Sequence, residues 1–275
     1  MQFFIEALKS FVLGVVEGIT EWLPISSTGH MILVNELIDN KGFSSTGLYL
    51  YVIQLGAILA VVTLYFRRLN PFSPSKTKAE RADTWQMWFK TIVACVPAAV
   101  IGLALNDYME NFENWYVVSA TLIIYGIAFI LIERRKNTPK VTDISALSYK
   151  TALLIGAFQV LSIIPGTSRS GSTILGAIIL GCSRTVAAEF SFFLAIPVMF
   201  GVSLLKIVTV DEIPSSADIA VLIIGMVVAY VVSMIAIKFL VDYVKKHDFK
   251  AFGVYRIVLG IIVVAYFGLR ILLGA

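Results

Sequence analysis

Six stretches of the chain are predominantly apolar: Leu48–Phe66, Thr91–Leu105, Val117–Ile132, Ala187–Leu205, Ile219–Leu240 and Val254–Leu273. A membrane-spanning helix needs about 20 such residues, within a range of about 17–25. Thr91–Leu105 is short for a span, and Phe89 and Asp107 are its expected bounds. Pro97 and Pro197 lie inside runs, where they predict kinks rather than ends. Two other apolar stretches are interrupted. Phe3–Leu37 contains Glu17, Glu21, Pro24 and the cluster Ser26-Ser27-Thr28-Gly29-His30. Thr151–Gly181 contains Gln159, Pro165 and Thr167-Ser168-Arg169-Ser170-Gly171-Ser172-Thr173. Each predicts two short helices around a polar break. Broken helices at membrane depth survive only where protein or a watery cavity covers them, so both are expected to be re-entrant hairpins.

Composition agrees with this pattern. Of the 275 residues, 58% are hydrophobic and 15% charged. A soluble domain is about 45–50% apolar and about 25% charged. The mean hydropathy of +0.87 points the same way. A disordered chain is excluded and a soluble enzyme disfavoured; the class is a polytopic membrane protein. No removable signal peptide is expected, because Glu6, Lys9 and Glu17 interrupt the first apolar run and no small-residue cleavage site follows. Cys95 and Cys182 sit in or beside apolar runs and are expected to be small buried residues rather than a disulfide or metal pair.

The net charge of +4 would suggest nucleic acid in a soluble protein. Here its distribution gives orientation instead. Arg67, Arg68, Lys76, Lys78, Arg81 and Lys90 follow the first run; Arg134, Arg135, Lys136, Lys140 and Lys150 follow the third; Lys245, Lys246 and Lys250 follow the fifth. The segments Asn106–Tyr116 and Val208–Asp218 have no Lys or Arg, only Asp107, Glu110, Glu113, Asp211, Glu212 and Asp218. The positive-inside rule puts the three basic loops in the cytoplasm and the other two segments outside. The first hairpin and both termini then open outward, and the second hairpin opens to the cytoplasm. Each half is one hairpin plus three spans, in opposite orientation, which is an inverted-topology repeat. The expected halves are residues 1–137, with a hairpin over 3–37, and 145–275, with a hairpin over 151–181; the boundary falls in Glu133–Lys150. A shift of 142 positions brings Gly14 onto Gly156, Glu17 onto Gln159, and Ser26, Thr28 and Gly29 onto Ser168, Ser170 and Gly171.

Candidate chemistry lies in the charges that no loop explains: Glu17, Glu21, Arg169 and Glu189, with His30 beside them. Such groups at membrane depth cost several kcal/mol unless paired or hydrated. Glu17 and Glu21 share a helix face and repel, so a proton or a cation belongs between them. Two carboxylates suit a hard cation such as Mg²⁺ or Ca²⁺. Ser26 and Thr28 precede an apolar helix, where hydroxyls cap and free N–H groups bind anions. Ser27 is a candidate nucleophile or phosphate ligand there, and His30 a general acid/base. In the second break, Arg169 with Gly166, Thr167, Ser168, Ser170 and Thr173 suits a phosphate, since arginine makes bidentate, permanently charged contacts to its oxygens. No G-x-x-x-x-G-K-[ST] loop is present. Trp22 and Trp115 are expected interface anchors.

The motifs Glu17-Gly18-x-x-Glu21, Pro24-x-Ser26-Ser27-Thr28-Gly29-His30, Ile53-Gln54-Leu55-Gly56, Pro165-Gly166-x-Ser168-Arg169-Ser170-Gly171-x-Thr173 and Glu189-Phe190-Ser191-Phe192 together carry a resemblance. Over essentially its whole length the chain resembles the integral-membrane undecaprenyl-pyrophosphate phosphatases of bacteria, linked to bacitracin resistance. The motif positions show no departure. The resemblance implies an all-α polytopic membrane fold with interlocked inverted repeats. It implies hydrolysis of a C55 polyprenyl pyrophosphate to the monophosphate, dependence on a divalent cation, and work at the outer face of the cytoplasmic membrane. The expected roles are a cation on Glu17 and Glu21, phosphates on Arg169, Ser168, Ser170 and Thr173, Ser27 as attacking group or water positioner, and His30 as proton carrier. The expected partners are a polyprenyl pyrophosphate lipid, the bilayer and, as an option, a second copy in a homodimer, with no nucleic acid. The alternative is a transporter or flippase of polyprenyl phosphate, since inverted repeats and paired broken helices are transporter architecture.

Overall fold

The structure is a computed structural model that describes residues 2–109, 112, 114–135, 138–210 and 213–273. Glu110, Glu113, Lys136, Asp211 and Glu212, and the side chain of Asp107, lie outside the described residues. The chain begins with a hairpin of α1 (Gln2–Thr20) and α2 (Ser27–Leu37). There follow α3 (Gly47–Leu64), a short α4 (Phe66–Leu69), α5 (Lys78–Met109) and α6 (Trp115–Arg134). A second hairpin comes next: α7 (Tyr149–Val160), extended by a 3₁₀ turn over Leu161–Ile163, and α8 (Arg169–Ile179). The chain ends with α9 (Arg184–Val208), α10 (Ser216–Lys246) and α11 (Lys250–Leu273). Among the described residues there is no strand, and one parallel bridge joins Val141 to Cys182.

Six of these helices, α3, α5, α6, α9, α10 and α11, are long and apolar enough to cross a bilayer. They contain the six apolar runs, although the first run extends past α3 into Tyr65 and Phe66. The short second run is no exception, because α5 starts well before Phe89 and passes through Pro97 without stopping. Large apolar side chains such as Leu103, Ile235 and Leu272 stand exposed on the outside of the bundle, as expected where lipid replaces water. Both cysteines are free, and Cys182 is buried.

The two hairpins pack crosswise. α1 lies along α10 and α7 along α5, while α3 packs on both α9 and α10, and α6 on α11. Two of the close crossings use glycines that the 142-residue shift superposes. A Cβ at Gly14 would stand 2.7 Å from the Gly225 carbonyl, and one at Gly156 would stand 2.1 Å from the Ala94 carbonyl. Small residues let helix backbones approach where no water-driven force holds them together. Gly156→Val should therefore lower the thermal midpoint of the detergent-solubilised protein, since overpacking costs about 1–3 kcal/mol. Gly201→Val, at a site with nothing within 4 Å of an added Cβ, should leave the midpoint unchanged.

Charged residues tie together the helix ends that share the basic loops. Glu133, at the end of α6, accepts from Arg184 Nη2 at 2.6 Å and from the Phe249 N–H at 3.1 Å. Glu189, one of the charges that no loop explains, pairs with Arg68 at 2.7 Å. This places it in a structural ion pair near the start of α9. Lys90 is buried and donates to the Ser145 carbonyl at 3.0 Å.

Candidate functional site

The two breaks are built alike. Each second helix starts on a serine with φ in the left-handed region: Ser26 at 75° and Ser168 at 73°. Such backbone costs of order 1–3 kcal/mol in a non-glycine residue and persists only where surroundings enforce it. Here the serine hydroxyl accepts from the N–H three residues on, Gly29 at 3.3 Å and Gly171 at 3.1 Å. The two caps thus satisfy equivalent helix-start donors and turn the next residue, Ser27 or Arg169, in the same way.

The breaks meet. Ser170 Oγ donates to the Glu21 carbonyl at 3.0 Å and contacts the Leu23 carbonyl at 3.2 Å. Glu21 is the shared residue of the centre. Its Oε2 accepts from Ser27 Oγ at 2.8 Å, and its Oε1 accepts from Arg169 Nη2 at 2.9 Å. Arg169 also donates through Nη1 to the Ser191 carbonyl at 2.7 Å, and its guanidinium lies 5.8 Å from the Trp22 ring centroid. Thr173 Oγ1 bonds Ser191 Oγ at 2.7 Å, so α9 fixes both residues from behind. The Glu21–Arg169 side chains are 7% and 11% exposed. A pair this buried is expensive to break, about 3–5 kcal/mol when one partner is removed.

The remaining expected residues divide into two groups. Glu17 is buried one helical turn before Glu21, and its Oε1 has no hydrogen-bond partner among the described residues. Ser168 Oγ stands 3.1 Å from Ser170 Oγ. These join Glu21, Ser27, Arg169, Ser170 and Thr173 in one centre. Others are not brought to it by direct bonds. Thr28 is exposed. Gly166, at φ +82°, and Thr167, whose hydroxyl donates to the Ile164 carbonyl at 2.6 Å, shape the second turn. His30 has both ring nitrogens engaged: Nδ1 lies 2.7 Å from the Ser26 carbonyl and Nε2 2.7 Å from the Tyr255 hydroxyl. A carbonyl only accepts, so Nδ1 carries a proton, and in the neutral ring Nε2 accepts from Tyr255.

Trp22 is a correction. Instead of anchoring at an interface it is fully buried, edge-on to Phe192 at 5.4 Å and against Arg169. There its ring forms an apolar, π-rich wall beside the Arg169 guanidinium. Trp115 stacks on Phe267 at 5.8 Å.

Sequence reasoning passes over Tyr255 and Arg256. Arg256 is fully buried and donates to the carbonyls of Pro24 at 3.1 Å, Gly166 at 2.9 Å and Thr167 at 3.0 Å. The signal existed, since Val254–Leu273 is not free of charge. An ionisable residue inside an apolar run is a functional candidate by the same rule that singled out Glu17.

Helices of spanning length, paired breaks and an enclosed carboxylate–serine–arginine centre define the class: a polytopic α-helical membrane protein with a polar centre suited to an anion. More particularly, the chain belongs to the family described as bacitracin resistance protein BacA, whose model matches residues 10–262. Proteins named undecaprenyl-diphosphatase are similar over nearly the full length. The one from Enterococcus faecalis is 58% identical, covering 96% of this chain and 98% of its own. That from Streptococcus thermophilus is 56% identical, covering 99% and 97%. That from Lactobacillus delbrueckii subsp. bulgaricus is 56% identical, covering 94% and 97%.

Proposed function

We propose that this chain hydrolyses undecaprenyl pyrophosphate to undecaprenyl phosphate and inorganic phosphate, and so recycles the lipid carrier of cell-wall synthesis. The observation that carries the chemistry is Glu21, which holds Ser27 Oγ on one carboxylate oxygen and Arg169 on the other. Phosphoryl transfer depends mainly on positioning and charge stabilisation, and this centre supplies both. Ser27 Oγ attacks the terminal phosphorus as the bond from that phosphorus to the bridging oxygen breaks. The Ser27 proton passes to Glu21 Oε2, and the lipid monophosphate leaves. Arg169 and the α8 N-terminus, with Ser168 and Ser170, face the phosphate charge. His30 lies one turn after Ser27 on the same helix face. When Tyr255 releases Nε2, that nitrogen takes the proton of the water that cleaves the phosphoserine, and Glu21 returns its proton to Ser27 Oγ.

Glu17, with Glu21 sharing an oxygen that now accepts from Ser27 or Arg169, would hold Mg²⁺ or Ca²⁺. The open Glu17 Oε1 fits this assignment, as do oxygen-only donors for a hard cation. Among the described residues no three of His, Cys, Asp and Glu gather into a complete ligand set, so phosphate oxygens and water would fill the shell. Such a cation supplies further neutralisation of the pyrophosphate. The proposed setting is the bacterial cytoplasmic membrane with the centre open to its outer face. Support for that orientation comes from the three loops rich in Lys and Arg after the first, third and fifth apolar runs, which fall on the opposite side.

The test uses purified protein in detergent micelles, with no compartment and no gradient. Phosphate release from undecaprenyl pyrophosphate is the expected result. Chelation should abolish it, and added Mg²⁺ or Ca²⁺ restore it. Absence of release with the cation present would reject the phosphatase reading in favour of lipid-phosphate transport.

A further inference from the structure

We propose that Arg256 is a positioning residue for the reaction, clamping the break of the first hairpin against the break of the second so that Ser27 and Arg169 meet on Glu21. The proposal rests on the phosphatase reading of that centre.

Arg256 sits within α11, outside both hairpins, and is fully buried. No carboxylate lies within ion-pair distance of it among the described residues. Among the described residues its charge is met by three backbone carbonyls and by the face of Tyr125, 5.3 Å from the guanidinium carbon. An uncompensated buried guanidinium costs more than an apolar side chain of similar size would. Packing alone therefore does not account for it.

What it grips does. Nη1 takes the Pro24 carbonyl, and Nη2 takes the Gly166 and Thr167 carbonyls. Pro24 lies two residues before the strained cap Ser26, and Gly166 two residues before the strained cap Ser168. Pro24 and Gly166 are also superposed by the 142-residue shift. One planar fork thus holds equivalent carbonyls of both breaks, one on each terminal nitrogen. These carbonyls belong to turns that have left the helical ladder, so they need donors from elsewhere. The residue after each cap is the one that reaches Glu21. Gly171 leaves the fork its room, since a Cβ there would stand 3.1 Å from Arg256 Nη1. Lysine has a single charged nitrogen and lacks the rigid fork that spans the two breaks.

Beside the Glu21–Arg169 pair itself, Ser170 makes a second direct tie between the breaks, which gives the experiment its discriminating readout. Phosphate release is measured over a range of substrate for the wild type, Arg256→Lys, Arg256→Met, Ser170→Ala and the double variant Arg256→Lys/Ser170→Ala. Rates are normalised to monodisperse protein of native helix content. Misplacing reacting groups by about 1 Å can cost about 10²-fold in rate. Arg256→Met should accordingly lose at least about 10²-fold in kcat with KM within about threefold, and Arg256→Lys at least about 10-fold. The double variant should deviate from the product of the single effects, because both ties serve one geometry. Normal kcat in Arg256→Lys, or effects in the double variant that simply multiply, would overturn the role of Arg256. Should Arg256→Met not fold, Arg256→Lys and the cycle still decide. Failure of the wild type to release phosphate would reject the phosphatase reading and this role together.

Discussion

Arg169→Ala is expected to lower phosphate release at least about 10²-fold, on the order of 2.7 kcal/mol of barrier. Two losses coincide in this variant. The substrate phosphates lose the permanent charge and paired donors of a guanidinium. Glu21 loses its partner at 2.9 Å and is left as a buried carboxylate to which, among the described residues, Ser27 donates. Arg169→Lys separates these effects. It keeps the charge but replaces a fork that bonds Glu21 and the Ser191 carbonyl at once with a single flexible ammonium. Its activity should lie between wild type and alanine. The measurement is kcat and KM in micelles, beside a thermal melt that reports the folded fraction. Near-normal turnover in Arg169→Ala would remove the phosphate-clamp assignment.

Glu21→Gln should cost more, about 10³-fold in kcat, within the range of about 10²–10⁴ that a positioned acid or base contributes. The amide has the carboxylate's shape and can still accept from Ser27. It cannot take the Ser27 proton, and it removes the carboxylate charge bonded to Arg169 in a nearly closed site. If Glu21 only shaped the turn, glutamine would be well tolerated. A rate within about threefold of wild type would therefore exclude proton acceptance by Glu21 and return that task to His30.

These expectations draw on two kinds of knowledge. Elements were legible in the sequence wherever the signal is local. Lipid selects apolar side chains residue by residue, so α3, α6, α9, α10 and α11 stand close to the runs that announced them. A polar interruption in such a run cannot face lipid, so the breaks at Ser26 and Ser168 were visible too. The shift that superposes Ser26 on Ser168 joins two serines that cap with nearly identical backbone angles. Even the error over α5 is local in origin: charged Lys78–Arg81 reads as loop, although a helix can project beyond the apolar layer.

Partners were a different matter. Glu21 and Arg169 are 148 residues apart, His30 and Tyr255 are 225 apart, and Arg256 reaches Pro24 across 232. The sequence marked Glu21, Ser27 and Arg169 as out of place in a membrane, because an isolated charge or a hydroxyl cluster is costly there whatever surrounds it. It determined the solvent, the spans, the two breaks and most of the candidate chemistry. Tertiary structure alone decided that the breaks touch, that Trp22 turns inward, that His30 is held by Tyr255, and that Arg256 joins the two turns. The reason is physical: hydrophobic transfer acts on each residue separately and leaves its mark along the chain. Buried hydrogen bonds and ion pairs exist only between residues that packing brings within about 3 Å, wherever they lie in sequence.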